Sequence, residues 1–342
     1  MTEKTAAKIL ARPRWAYITA WVLGVIVVIN VVLGIYWSRQ PEVFWVNRSV
    51  DEDRIVVGYS TTDTLMRVAQ TMLDKPGGYL SNDVMPPSVF LDNTPNWELG
   101  VLQQVRDLAR VIRNDYSRSQ SQSAEDPDVV EAEQAFFIDN ESWIFPKAES
   151  EYRDAIEGFG HYRDRLLDDD DTGAQFYARA DNLREWLAQV EKRLGSLTRR
   201  LGDSVATSRI NENLAGDPSA AASNPQPDRI EVRTSWFEVD DVFFEARGTA
   251  WALLHFFRAV EFDFAQVLED KNATASVRQI IRELEASLQP LRSPVILNGS
   301  GYGFFRQPLA RHGQLPRQGQ RRRDQPPGVA RPGVRKHITK FL

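Results

Sequence analysis

The chain of 342 residues has 42 basic and 47 acidic side chains, four histidines and no cysteine. The lack of cysteine excludes disulfides, thiolate nucleophiles and cysteine-based zinc or iron-sulfur sites together, and with only His161 and His255 in the body no metal site is expected. Residues 306–342 hold ten of the basic residues and a single acid, Asp324, which leaves about +9 there and about −14 on residues 1–305; an acidic body argues against nucleic acid as a partner, since that binding is driven by phosphate neutralisation.

From Trp15 to Trp37 the chain runs 23 residues without a charge, and only Thr19 and Asn30 are clearly polar. At about 1.5 Å of rise per residue a helix here reaches about 35 Å, enough to cross a hydrocarbon core of about 30 Å. Lys4, Lys8, Arg12 and Arg14 precede it, whereas only Arg39 follows closely, ahead of Glu42, Arg48 and the acids Asp51, Glu52 and Asp53. The positive-inside rule then puts residues 1–14 in the cytoplasm and everything after residue 38 outside it. Trp15, Tyr17 and Trp21 at one end, and Tyr36, Trp37, Phe44 and Trp45 at the other, supply the aromatic belts of the two interfaces. The apolar run is longer than that of a cleaved signal peptide and ends in Ile35, Tyr36 and Trp37, a poor cleavage site, so it reads as an uncleaved signal anchor. Ala20 and Gly24 form a small-xxx-small pair and Asn30 could bond across a helix pair, but a lone helix that tolerates them is the simpler reading.

Residues 38 to 58 look extended. Ser60 or Thr61 is expected to cap a helix through Leu65, Ala69, Met72 and Leu73, stopped by Pro76, Gly77 and Gly78. The turn-rich passage that follows carries Val84, Met85, Val89, Phe90 and Leu91, which suggests an ordered loop packed on the core. Thr94-Pro95 and Asp126-Pro127 are helix starts, with proline at the first helical position where its missing N–H costs nothing. The first of these helices presents Trp97, Val101, Val105, Leu108, Ile112 and Tyr116 on one stripe; the second carries Val130, Phe136, Phe137 and Ile138. Residues 147–167 place Tyr152, Ile156, Phe159 and Leu166 or Leu167 on one face. The acidic run Asp168 to Asp171 lacks the alternation, central glycine and distal glutamate of a calcium loop, and is read as a solvated connection.

Phe176, Ala180, Leu183, Leu187, Val190, Leu194, Leu197 and Leu201 recur at 4-3 spacing, a coiled-coil-like pattern expected to pair within the chain by default, or with a second copy. Residues 215–229 form the clearest linker and divide a first part of the body, 38–214, from a second, 230–305. A long apolar helix from Val239 to Asp270 should be central to the core. Arg247, His255, Arg258, Glu261 and Asp263 on or beside its apolar face either line a cleft or form ion pairs at its edge. A further helix covers Ala273 to Gln289. The glycines at 299, 301 and 303 have no lysine or strand context that would make a phosphate loop.

The basic-then-apolar start, the central helices and the stretch Leu-Asn-Gly-Ser-Gly-Tyr-Gly-Phe-Phe at 297–305 resemble the bacterial family of domain of unknown function 2333, over residues 10 to 305. The resemblance implies a single-span topology and supplies no chemistry. It also implies a further helix after Phe305, whereas residues 306–342 are rich in Arg, Gln, Pro and Gly without helical periodicity. Read one base later, the codons for Arg306 onward permit Ala-Asn-His-Ser-Leu-Val-Met-Ala-Ser-Tyr, with Gln307-Pro308 forced to Asn or Ser and His312-Gly313 to Met or Thr. The tail is therefore expected to be disordered and is read as a frameshift product, against a native basic segment that binds anionic lipid or nucleic acid.

The fold class expected is mainly α: one N-terminal transmembrane helix, an exported multi-helix bundle with a coiled-coil-like helix, and a disordered C-terminal tail. Its partners are the lipid bilayer and an envelope protein or a second copy, and no cofactor is implied. The expected location is the bacterial inner membrane, single-pass, with the body in the periplasm and Trp15, Trp21, Asn30, Tyr36 and Trp37 as anchor residues. The leading function is a structural or protein-interaction module, its activity left open, since no catalytic constellation stands out in the sequence. The alternative is an envelope enzyme or ligand-binding protein with a cleft near the 239–270 helix, for which Arg247, His255 and Glu261, with His161, are the candidates.

Overall fold

A computed structural model describes residues 14–49, 54–119, 123–168, 173–203, 207–210, 229–232 and 239–289. The expected cytoplasmic segment up to residue 13, the acids at 169–171, the linker core 215–228, the glycine-rich stretch and the basic tail lie outside the described residues.

Nine α-helices hold most of the described residues: α1 Arg14–Trp37, α2 Tyr59–Asp74, α3 Asn93–Val111, α4 Pro127–Phe136, α5 Ala148–Leu167, α6 Ala180–Asp203, α7 Val239–Asp263, α8 Ala265–Asp270 and α9 Thr274–Ser287. Between α6 and α7 two short strands, β1 Thr207–Ile210 and β2 Arg229–Val232, pair antiparallel with Thr207 opposite Val232. The sequence reading has no strand there. The ribbon brackets residues 211–228, which include most of the linker.

α1 is the one described helix long and apolar enough to cross a membrane, with a mean hydropathy of 2.6 over its richest stretch. It is apolar all round and stands exposed from Trp15 to Ile35 except near Gly34. α7 is buried on nearly all sides at the centre, and the other helices of the body turn their apolar faces into the shared core. Leu65 of α2, Trp97 of α3, Phe136 of α4, Tyr152 and Phe159 of α5, Trp186 of α6, Phe257 of α7 and Leu284 of α9 belong to a single contiguous cluster. The two sequence halves therefore close around one core.

The centre of that core is the crossing of α3 and α7, the most extensive helix contact in the chain. Two glycines permit it. A methyl group on Gly100 would lie 2.1 Å from the Glu245 carbonyl oxygen, and one on Gly248 would lie 2.0 Å from that of Trp97. The backbones thus touch without intervening side chains, and Thr249 Oγ1 donates to the Gly100 carbonyl at 3.4 Å. α2, α6 and α9 pack on α7, and α4 and α5 pack on each other, with α5 also on α2.

Several helix boundaries follow the sequence signals. Asp126 accepts from the amides of Asp128 and Val129, with Pro127 as the first residue of α4; α3 starts earlier than Thr94-Pro95 signals, at Asn93, where Asp92 accepts from the Asn93 amide and Pro95 becomes the third residue of the helix. α3 continues past Val111 as one π-helical turn, Ile112–Tyr116, which keeps Ile112 and Tyr116 buried. α4 ends at Phe136, so Phe137 falls beyond it and is partly exposed. The coiled-coil-like stripe is buried inside the chain: Leu183, Leu187, Val190, Leu194, Leu197 and Leu201 are all buried, and α6 packs on α3 and α7. Phe176 precedes the helix and packs over Gly58, where a Cβ would meet its ring at 2.3 Å. The long apolar helix breaks at Phe264, dividing α7 from α8.

Two expectations need correction. Ser60 and Thr61 lie inside α2 and do not cap it; the residue before the helix is Gly58, left-handed at φ 93°, and the capping carboxylate comes from Asp263. The passage 84–90 is ordered but does not pack on the core, since Val84, Met85, Val89 and Phe90 all project outward.

Candidate functional site

Residues 38–49 leave α1 as an extended strap and lie in a groove between α2 and α7. At its start Trp37 covers Gly77, whose left-handed backbone (φ 91°) brings it so close that a Cβ would sit 2.7 Å from the indole Cγ. Gln40 Oε1 accepts from Arg247 Nε at 3.1 Å. At Phe44 the backbone amide donates to His255 Nε2 at 3.1 Å, and the ring stacks on the imidazole with 3.9 Å between centroids. The Arg67 guanidinium closes the other face of Phe44 at 4.3 Å and donates to the Trp45 carbonyl at 2.9 Å. Asn47 Nδ2 donates to Asp63 at 3.2 Å, and Ser60 Oγ donates to the Arg48 carbonyl at 3.3 Å. Main-chain groups at three positions, one apolar anchor and two side-chain amides make this a peptide-binding mode, filled by the chain's own segment.

The electrostatics suit a permanent contact. His255 is completely buried, and its Nδ1 donates to the Trp251 carbonyl at 2.7 Å, which leaves Nε2 as the acceptor for Phe44. Burial, with the cations of Arg258 and Arg67 nearby, holds its pKa down to about 3, so the ring is neutral. Arg247 is pushed down to about 10 by burial. Besides Gln40 it faces the carbonyls of Ser287, Leu288 and Gln289 at 3.3 to 3.4 Å, where a cation suits the C-terminal end of α9. Asp263 accepts from the Thr61 amide at 2.6 Å at the start of α2; burial raises its pKa to about 6 against the lowering effect of the Thr61, Gly58 and Ser60 hydrogen bonds.

Arg247, His255 and Glu261 therefore do not converge. Arg247 ties the strap to the end of α9, His255 seats Phe44, and Glu261 pairs with Arg278 of α9 at 2.5 Å, as Arg258 does with Glu285 at 2.7 Å. His161 is exposed on α5, 4.0 Å from Glu157. It borders two open surface grooves of about 420 and 570 Å³ on either side of α5, neither of which is lined by α7. Among the described residues no group of His, Asp or Glu could hold a metal ion. Of the anchor residues, Asn30 Nδ2 donates back to Ile26 within its own helix at 2.9 Å, and Trp15, Trp21 and Tyr36 are exposed. Phe44, expected in the outer aromatic belt, is drawn instead into the body by His255.

Sequence reasoning found His255 and Arg247 but not what they hold. The available signal was an aromatic and a polar residue, Phe44 and Gln40, in an extended stretch just after an apolar helix. A second feature it passed over is the buried ion pair of Lys75 with Glu98, neither side chain having any exposed surface. Lys75 also donates to the Gly78 carbonyl, and Glu98 accepts from the amides of Leu80 and Ser81. The pair locks the turn on which Trp37 rests.

These features define the chain's class: a single-core helical bundle carrying one apolar N-terminal helix whose exit segment is seated in the bundle. A known family matches over residues 10–311, and the chain belongs to that family, the uncharacterized proteins conserved in bacteria with domain of unknown function 2333. No curated protein and no solved structure matches it.

Proposed function

We propose that the protein is a membrane-anchored component of the bacterial cell envelope, with α1 spanning the inner membrane, the N-terminus inside and the body in the periplasm as a structural or protein-interaction module. The seated strap carries this reading. Gln40, Phe44 and Asn47 fasten the bundle to its anchor helix, and the candidate catalytic groups Arg247, His255 and Glu261 are engaged in holding the chain together. A module whose work is to stand at a fixed place on a membrane needs such a joint. An enzyme needs convergent groups that are free to react.

Topology is tested by fusing alkaline phosphatase or a fluorescent protein after Gln289. The phosphatase fusion should be active and the fluorescent one dark; the reverse pattern overturns the orientation. Interaction is tested by crosslinking in cells and copurification, where a defined envelope partner or a second copy supports the module and a monomer without partner counts against it.

A further inference from the structure

We propose that the two apolar loop tips beside the outer end of α1, residues 84–90 and 143–145, insert into the outer leaflet of the bilayer that α1 spans. The proposal rests on the membrane-anchor reading of α1.

Both tips display large apolar side chains to the outside. Met85 is 72 %, Phe90 75 % and Phe145 93 % exposed, and Val84, Val89, Trp143 and Ile144 are exposed with them. Neither stretch, Val-Met-Pro-Pro-Ser-Val-Phe nor Trp-Ile-Phe, contains a charge. Scattered exposed apolar residues need no explanation, but a cluster of this kind marks a protein or membrane contact. The tips form one cluster because their bases are bonded together. Asn82 Nδ2 donates to the Ser142 carbonyl at 2.9 Å, and Tyr79 Oη donates to the Asn140 carbonyl at 3.1 Å. Phe145 sits at φ 39°, a left-handed conformation that a bulky residue avoids, and it points its ring into the open.

The position of the cluster names the occupant. Residues 88–90 form a 3₁₀ turn in contact with α1, and a Cβ on Gly34 would lie 3.7 Å from Leu91 and 3.9 Å from Pro87. Trp37, one turn further on, rests on Gly77 of the same region. The loop base is thus fixed to the last turn of the apolar helix, at the level where that helix leaves the hydrocarbon. Side chains projecting beside it meet the same boundary, and Trp143 has the amphipathic ring that favours such an interface. A protein partner there would need an apolar surface of its own at the level of the membrane.

The absence of cysteine makes each introduced cysteine unique. Full-length protein carrying Phe90→Cys or Phe145→Cys, spin-labelled in nanodiscs of phosphatidylethanolamine and phosphatidylglycerol, is compared with Val27→Cys on α1 and His161→Cys on the exposed side of α5. Accessibility to oxygen and to a water-soluble nickel chelate is measured for each. The expected result is high oxygen and low nickel accessibility at 90 and 145, as at 27, with the opposite at 161. Nickel accessibility at 90 and 145 with lipid values at 27 overturns the proposal and leaves the anchor reading standing. Low accessibility of 90 and 145 to both reagents means a protein contact and also overturns it. A water-exposed position 27 overturns the anchor reading and the insertion with it.

Discussion

At the scale of single residues, two buried titratable groups on α7 pull stability in opposite directions with pH. His255 has its pKa lowered to about 3, so the unfolded chain takes up a proton first as pH falls; its contribution is complete above about pH 6.5 and is lost on acidification. Asp263 has its pKa raised to about 6, so its contribution is present below the unfolded value near 4 and is lost as pH rises through about 6. Relative to the parent, His255→Gln should lose less stability between pH 7 and pH 4, and Asp263→Asn should lose more, each by up to about 1.4 kcal/mol per pH unit. Urea midpoints measured across that range check both signs. The Lys75–Glu98 pair is a matter of partners more than of pH. Lys75→Met leaves the buried Glu98 carboxylate without its counter-charge and should cost about 3 to 5 kcal/mol, whereas the double variant Lys75→Met, Glu98→Leu should recover much of that loss. A double-mutant cycle in urea reads the coupling.

Among the elements, the α3–α7 crossing depends on two positions without side chains. Gly100→Ala would raise helix propensity by about 1 kcal/mol in isolation, yet its methyl meets rigid backbone at 2.1 Å, so the helices must part. A net loss of about 3 kcal/mol is expected, measured by chemical denaturation, and Gly248→Ala should behave alike. Most helices were legible because their apolar residues repeat at helical spacing, and two of them, α3 and α4, also carry Thr-Pro or Asp-Pro at the start. The crossing was not, because a glycine in a helix looks like a weakness until its neighbour is known. The cap of α2 was hidden for a related reason: its carboxylate, Asp263, lies 202 residues away from Thr61. Local pattern finds elements, while contacts over such separations need the fold.

For the whole molecule, the joint between α1 and the bundle should be separable from the bundle's own stability. Phe44→Ala removes the stacked anchor of the strap and should weaken its docking by about 2 kcal/mol. Proteolysis within residues 38–49 then speeds up by about 30-fold, while the far-UV circular dichroism and the urea midpoint of the bundle change little. Phe44 shows how far sequence reading carried at the site. Its position beside an apolar helix fits an interfacial aromatic, and only the buried acceptor on His255 turns it inward.

A free segment of twelve residues like 38–49 would let the bundle wander about 20 Å from its anchor. With that segment seated, the bundle has no such slack and turns only as the helix turns. On a membrane anchored as proposed, its encounters become a two-dimensional search in which height and tilt are already set, and a neighbour must match that height to be met at all.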